Sequence, residues 1–146
     1  MFMKPLKAEQ SWTTYILSTL LENWSTSRAS GAAPLPALIE LAHRLDISSI
    51  LAVALGSVFD LAEACLGRPL SVQHCCSDDL RPGEWALIHM LNDTLRDEDA
   101  TALGAGSREI FDALLAAATS ARRLLAPQEH ELDRLWNTTH AARLCH

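Results

Sequence analysis

The sequence predicts an all-α fold: a single domain, 1–146, built as a bundle of about five to six helices around a buried central helix. Three observations predict it. At 49% hydrophobic residues, the 146-residue chain can fill one core. Apolar residues recur at helical spacing along most of the chain, and the one arguable strand, in residues 67–76, has no partner with which to form a sheet. Finally, residues 48–66 are apolar enough to be the centre of the bundle.

This expected central helix is apolar on every side from Ile50 to Phe59, apart from one Gly-Ser pair. A helix with no polar face is either a membrane span or the centre of a compact fold. A run of about ten apolar residues is shorter than the roughly 20 that cross a bilayer, so we expect neighbouring helices to enclose it. Asp46 or Ser48 is expected to cap its start, and Gly67 to end it in the left-handed conformation.

Two helices are expected before the central one. An apolar stripe predicts the first, from about residue 8 or 11 to Trp24. Residues 25–34 are rich in Ser, Gly and Ala and predict a flexible linker. Pro36 suits the first position of a short second helix that ends near Asp46.

Three further segments are expected after it. Pro82 suits the first position of a helix with Glu84 in its first turn, and residues 97–107 are expected to form a loop with a short helical turn. The alanine-rich segment after Ser107 predicts a helix that Pro127 ends, followed by a last helix. The buried positions expected on these two helices are Ile110, Leu114, Ala117, Ala121 and Leu124, then Leu132, Leu135, Trp136 and Leu144.

Charge and cysteine content narrow the classes of function. A net charge of −6 argues against nucleic acid or a membrane surface as partner, because both attract positively charged proteins. Residues 1–10 lack the apolar core of a secretory signal, and four cysteines without such a signal are expected to be reduced thiols. We therefore expect a cytoplasmic protein.

His74, Cys75 and Cys76 form the most unusual local cluster of side chains. Thiolate and imidazole ligands suit zinc, and a thiol pair near a helix start suits redox chemistry. However, neighbouring residues of an extended segment point to opposite sides, and the chain has no C-x-x-C pair. Buried packing thiols with no cofactor are the favoured interpretation, and a zinc-binding or thiol-redox site is the alternative.

Asp60 and Glu63 lie one turn apart on the expected central helix, where they must reach solvent or find partners. The favoured interpretation is an ion pair with an arginine. A sharper alternative is a small-ligand pocket between the helices, near these two acids and with Trp85 and His89 among its residues. The arginines that could pair with the two acids are Arg44, Arg68 and Arg81.

One stretch of the chain resembles a known group of proteins. Leu66-Gly67-Arg68-Pro69-Leu70, then Cys75-Cys76-Ser77, then Leu80 and Glu84, is similar to uncharacterised small all-helical bacterial proteins that have a Cys-Cys-Ser turn before a helix. The resemblance covers roughly a quarter of the chain. It implies no activity, and no functional residue is assigned from it.

The leading hypothesis is a protein–protein interaction or regulatory module that forms a homodimer and is not an enzyme. No nucleophile elbow, zincin or kinase motif is present, and the chain has more apolar helical surface than a small bundle hides. Tryptophan is enriched at the centres of interfaces, so Trp24 and Trp136 are the candidate anchors for the partner, whose identity the sequence does not indicate. The metal or thiol site and the small-ligand pocket are the alternatives.

Overall fold

The computed structural model describes residues 12–72, 80–104 and 107–144, and the side chains of residues 13–127 within those ranges. This part of the chain contains helices and connections and no strand, so the predicted all-α class is confirmed. Its six helices are α1 (Trp12–Ala29), α2 (Pro34–Arg44), α3 (Ser49–Leu66), α4 (Pro82–Leu91), α5 (Asp97–Ala102) and α6 (Arg108–Leu144).

α3 is the central helix that the sequence predicts. The Ser48 hydroxyl accepts a hydrogen bond from the Ile50 N–H at 3.1 Å and caps its start. Gly67 ends it in the left-handed conformation, with φ at +71°. Leu55 and Phe59 are at most 1% exposed, and burial of each such side chain stabilises the fold by about 1.5–3 kcal/mol. α3 packs most extensively against α6 and also contacts α2.

α1 continues to Ala29, so the linker predicted at 25–34 is wrong for its first half. Tertiary contacts stabilise the additional turn. The Ser25 hydroxyl accepts a hydrogen bond from the Val72 N–H at 3.1 Å, and Arg28 forms ion pairs with α3. These contacts outweigh the weak preference of serine for helix interiors, which is the property that suggested a loop.

The shorter helices agree more closely with the sequence. α2 begins at Pro34 instead of Pro36 and ends at Arg44. α4 begins at Pro82, as predicted, and α5 is the short helical segment expected within 97–107.

α6 is one continuous helix with Pro127 inside it, so the prediction of two separate helices is wrong. An interior proline removes a backbone hydrogen bond and costs a helix about 3 kcal/mol. Just before the proline, Leu125 is 6% exposed and packs in the core. After the proline come Gln, Glu and Leu residues, which favour helix formation. The helix therefore resumes beyond the proline.

The buried face of α6 is rotated from the predicted one. Leu114 and Ala121 are buried as expected, but Ala118 and Leu125 are buried in place of Ala117 and Leu124, and Leu124 is 40% exposed. The cause is the composition of this segment. Apolar residues occur all around the helix, so the pattern leaves open which of them face α3.

α3 and α6 run antiparallel and differ in length. A Cβ atom on Gly104, just before α6, would lie 3.1 Å from the Cys65 carbonyl oxygen near the end of α3. The 37 residues of α6 correspond to about 55 Å of helix, against about 27 Å for the 18 residues of α3. Because α6 begins beside the end of α3, about half of it extends beyond the start of α3, roughly from Pro127 onward.

α3 is the one helix of the described residues that is long and apolar enough to cross a membrane, judged by length and composition alone. A core helix of a soluble protein passes the same test. Leu51, Leu55 and Phe59 of α3 lie within the buried core formed with the other helices. This arrangement is that of a core helix, and a soluble protein is plausible.

Candidate functional site

One face of α3 is not covered by the described residues. Ile50 is 67% exposed and Val53 is 46% exposed, and Ser57 and Asp60 continue the same face at helical spacing. We call these four residues the α3 outer stripe. The expectation that neighbouring helices enclose α3 is therefore met on its inner face and wrong for the outer stripe.

The apolar half of the outer stripe lies at the start of α3, close to the point where α6 leaves the bundle. In the antiparallel pairing, Leu124 of α6 is about level with Ile50, because each lies about 15 residues from the shared end of the pair. Single exposed apolar side chains are ordinary on protein surfaces. Here Ile50, Val53 and Leu124 are exposed at a similar level along the two helices that pack most extensively against each other.

Asp60 and Glu63 form the ion pair that the sequence favours, but their partner is Arg28 of α1 and not one of the three arginines considered above. Arg28 Nη2 donates to Glu63 Oε1 at 2.7 Å and to Asp60 Oδ1 at 3.1 Å. Glu63 also accepts hydrogen bonds at Oε2 from the Trp24 indole N–H at 3.1 Å and the Leu70 N–H at 2.9 Å. Glu63 thus joins α1, α3 and the chain that follows α3.

Trp24 lies inside this cluster and is 1% exposed, so in this conformation it offers no surface to a partner. Its ring meets Phe59 edge to face at a centroid distance of 5.4 Å, and the Arg28 guanidinium lies 5.5 Å from its centroid. Trp24 is thus part of the core, and its predicted role as a partner anchor stays a prediction. Trp136 lies on α6 beyond the described side chains, and its role stays a prediction.

Trp85 and His89 come together on α4, apart from Asp60 and Glu63. Their rings stack at a centroid distance of 5.7 Å, and His89 Nδ1 lies 3.1 Å from both carboxylate oxygens of Asp99 on α5. The Asp99 carboxylate orients the imidazole and favours the tautomer with its proton on Nδ1. Sequence reasoning did not find Asp99, which lies in a segment expected to be mostly loop.

Asp99 is a buried acid whose contacts keep it ionised. Burial raises the pKa of Asp99, but the hydrogen bond from the Arg96 backbone N–H and the interaction with His89 outweigh it and hold the pKa below the usual value. As the third residue of α5, Asp99 accepts the backbone N–H of the N-cap residue. Its first role is thus to start α5 and join it to α4.

Glu84 is a second buried acid that sequence reasoning placed correctly in the first turn of α4 but did not pair. Its side chain is 0% exposed and forms two hydrogen bonds with the Arg68 guanidinium, at 2.8 and 3.0 Å, and a third with the Ser71 N–H at 2.7 Å. Burial raises the pKa of Glu84, and these donors more than offset it, so the pKa lies below its usual value. The pair fixes the chain after α3 against α4.

Shallow grooves lie on the described surface, and two of them bear on the small-ligand hypothesis. One follows α2 from Pro36 to Arg44, and the other lies where α1, α4 and α6 meet, around Asn92 and Arg122. None of the four residues proposed for a small-ligand pocket lines either groove. The small-ligand pocket stays a prediction. Asp60 and Glu63 belong to the cluster around Arg28, and Trp85 and His89 belong to the cluster around Asp99.

The cluster His74-Cys75-Cys76 lies outside the described residues, and a zinc or thiol-redox site there stays a prediction. Among the described residues no group of three or more His, Cys, Asp or Glu side chains is placed to hold a metal ion. Cys65 carries a free thiol, and partial burial raises the pKa of that thiol, which keeps it protonated at neutral pH.

Comparison with known proteins identifies no relative of this chain. The chain matches no protein-family model, no curated protein and no solved structure.

Proposed function

We propose that this protein is a helical protein–protein interaction module that acts as a homodimer through the α3 outer stripe. The observation that carries the proposal is the exposure of Ile50, at 67%, and of Val53, at 46%, on a helix that otherwise forms the core. Leaving this surface in water is unfavourable by roughly 25 cal/mol for each Å² of apolar area. A partner that covers it therefore gains stability.

A second copy of the chain is the partner that the structure favours. The central helix leaves one face uncovered, and α6 continues beyond the bundle by about the length of α3. One chain therefore carries both a face that its described residues leave uncovered and a length of helix beyond the bundle. Two-fold dimers use the same surface on both copies, so each copy of such a chain can cover the exposed face of the other.

Light scattering after size-exclusion chromatography tests the dimer. The chain has a mass of 16.0 kDa, and we expect a particle of twice that mass at micromolar concentration. The double variant Ile50→Glu/Val53→Glu is expected to be monomeric, because it places two charges on the stripe, and to keep its helical circular dichroism. Thr101→Glu, an exposed change on α5, serves as the control and is expected to remain dimeric.

A wild-type protein that stays monomeric at high concentration contradicts this proposal. So does a double variant that dimerises as tightly as the control. We also propose a cytoplasmic location for the module, and the free thiol of Cys65 accords with a reducing compartment.

A further inference from the structure

We infer that the C-terminal part of α6 from a second copy, residues 128–144, covers the α3 outer stripe and runs parallel to α3. The inference rests on the homodimer proposed above and names the segment that each copy supplies. The contact occurs twice in the dimer, once on each α3.

Helix lengths support this arrangement. Residues 128–144 correspond to about 25 Å of helix, and α3 to about 27 Å. The outer stripe spans about 15 Å from Ile50 to Asp60, so a helix of this length is more than enough to cover it. The part of α6 that extends beyond the bundle meets that requirement.

Two-fold symmetry then sets the direction of the helix. A two-fold axis along the bundle would leave both extensions beyond the start of both α3 helices, so only an axis perpendicular to the bundle lets each extension cover the other copy's stripe. Such an axis makes the two α6 helices antiparallel, and α6 is already antiparallel to α3 of its own copy. The partner's α6 must therefore run parallel to α3. In this position each bundle lies beside the extension of the other, so both stripes are covered at once.

Charge allows the parallel direction but does not select it. The extension carries Glu129, Glu131, Asp133 and Arg134 in its first half and Arg143 near its end. In the parallel register that sets Leu132 level with Val53, Arg143 lies about 6 Å beyond Asp60, whose side chain is 63% exposed. Antiparallel packing would set Arg134 about level with Asp60, so the direction rests on the symmetry and on the apolar pattern.

The apolar pattern of the extension agrees with the parallel direction. Leu132, Leu135 and Trp136 recur at the spacing of one helix face. In the parallel register Leu132 is about level with Val53 in the apolar half of the stripe. The extension therefore carries its apolar residues near the apolar half of the stripe.

The first test measures the dimer dissociation constant by analytical ultracentrifugation of the full chain. Leu132→Glu is expected to weaken the dimer by at least about tenfold, which corresponds to about 1.4 kcal/mol. The matched control is Ala141→Glu, which introduces the same charge on the same extension. Ala141 lies about half a turn around the helix from Leu132 and is expected to leave the dissociation constant within about twofold.

The second test measures the direction of packing by oxidative cross-linking between two differently tagged copies. One copy carries Val53→Cys, and the other carries either Leu132→Cys or Arg143→Cys. The cross-links that the native cysteines form in the unsubstituted protein are the background. Parallel packing predicts a cross-link with Leu132→Cys at least about tenfold more abundant than with Arg143→Cys, because Arg143 lies more than about 15 Å further along the helix.

The outcomes separate this inference from the proposed dimer. A dimer that Ile50→Glu/Val53→Glu disrupts but Leu132→Glu does not, with no Val53–Leu132 cross-link, overturns the inference and leaves the proposed function standing. A preference for the Arg143→Cys cross-link overturns the parallel direction. If the protein is a monomer in which residues 1–11 protect the amide hydrogens of the outer stripe from exchange, the inference and the proposed function are both overturned.

Discussion

The first half of α3 carries aliphatic side chains on both of its faces, and the surroundings of the two faces are opposite. On the inner face Leu51 and Leu55 are at most 1% exposed, whereas Ile50 and Val53 on the outer face are 67% and 46% exposed. All four are aliphatic, so composition cannot distinguish them. The comparison teaches that hydrophobicity predicts that a helix face will be covered, but does not predict that its own chain will cover it.

The largest expected difference between the faces is in how much the free energy of unfolding falls when one side chain is replaced by alanine. Leu55→Ala is expected to lower the free energy of unfolding by about 3–5 kcal/mol, because it removes buried methyl groups and leaves a cavity. Val53→Ala, measured in an Ile50→Glu background at a concentration where light scattering shows a monomer, is expected to change it by less than about 0.5 kcal/mol. Urea unfolding followed by circular dichroism measures both. Similar losses for the two variants would show that a monomer also buries its outer face.

A second comparison uses the two acids that share Arg28. Glu63→Ala is expected to cost about 2–3 kcal/mol, because it leaves the Trp24 indole N–H and the Leu70 N–H without their acceptor. Asp60→Ala is expected to cost less than about 1 kcal/mol, because the Asp60 side chain is 63% exposed and water screens its ion pair. Urea midpoints of the two variants at the same protein concentration give the comparison. A loss for Asp60→Ala that equals the loss for Glu63→Ala would contradict the structural role assigned to Glu63.

The smallest of these effects concerns the ion pair between Arg68 and Glu84, which makes the stability of the fold depend on pH. The pKa of Glu84 is lower in the folded protein than in the unfolded chain. Its contribution is therefore complete above the unfolded value of about 4.3 and is lost as the pH falls through the folded value. Glu84→Gln is expected to cost about 1–2 kcal/mol at pH 7, because the Arg68 guanidinium loses its charged acceptor.

The pH dependence separates this ion pair from simple packing. The difference between wild type and Glu84→Gln is expected to shrink as the pH falls below about 4.3, because the unfolded chain then takes up a proton at Glu84 that the folded carboxylate resists. Asp99 has a lowered pKa as well, so both proteins should still lose stability in acid. A difference that stays constant as the pH falls would show that the carboxylate charge contributes nothing.

The sequence predicted the elements of the fold better than their connections. Ser48 and Gly67 mark the ends of α3 because capping is local chemistry, decided by one side chain and one backbone angle. The linker at 25–34 failed because distant residues stabilise its first turn. Pro127 failed for a related reason: its local cost is real, but helix-forming sequence on both sides outweighs it.

The candidate site shows the same division. Asp60, Glu63, Trp85 and His89 were noticed as polar or aromatic residues on predicted helices. Their partners Arg28 and Asp99 were missed, because no spacing in the sequence relates residues 32 or 10 positions apart on different helices. Signals did exist: Arg28 ends a helix with no local acid, and Asp99 falls three residues after Arg96.

By itself, the sequence determined the helical class, the position of the central helix and most helix starts. These follow from the periodicity of apolar residues and from capping, which act within a few residues of each other along the chain. Only the tertiary structure decided which side of α3 is buried, which face of α6 meets it and which arginine pairs with Glu63. Those outcomes depend on how whole helices pack against one another, and packing is a property of surfaces that distant parts of the chain bring together.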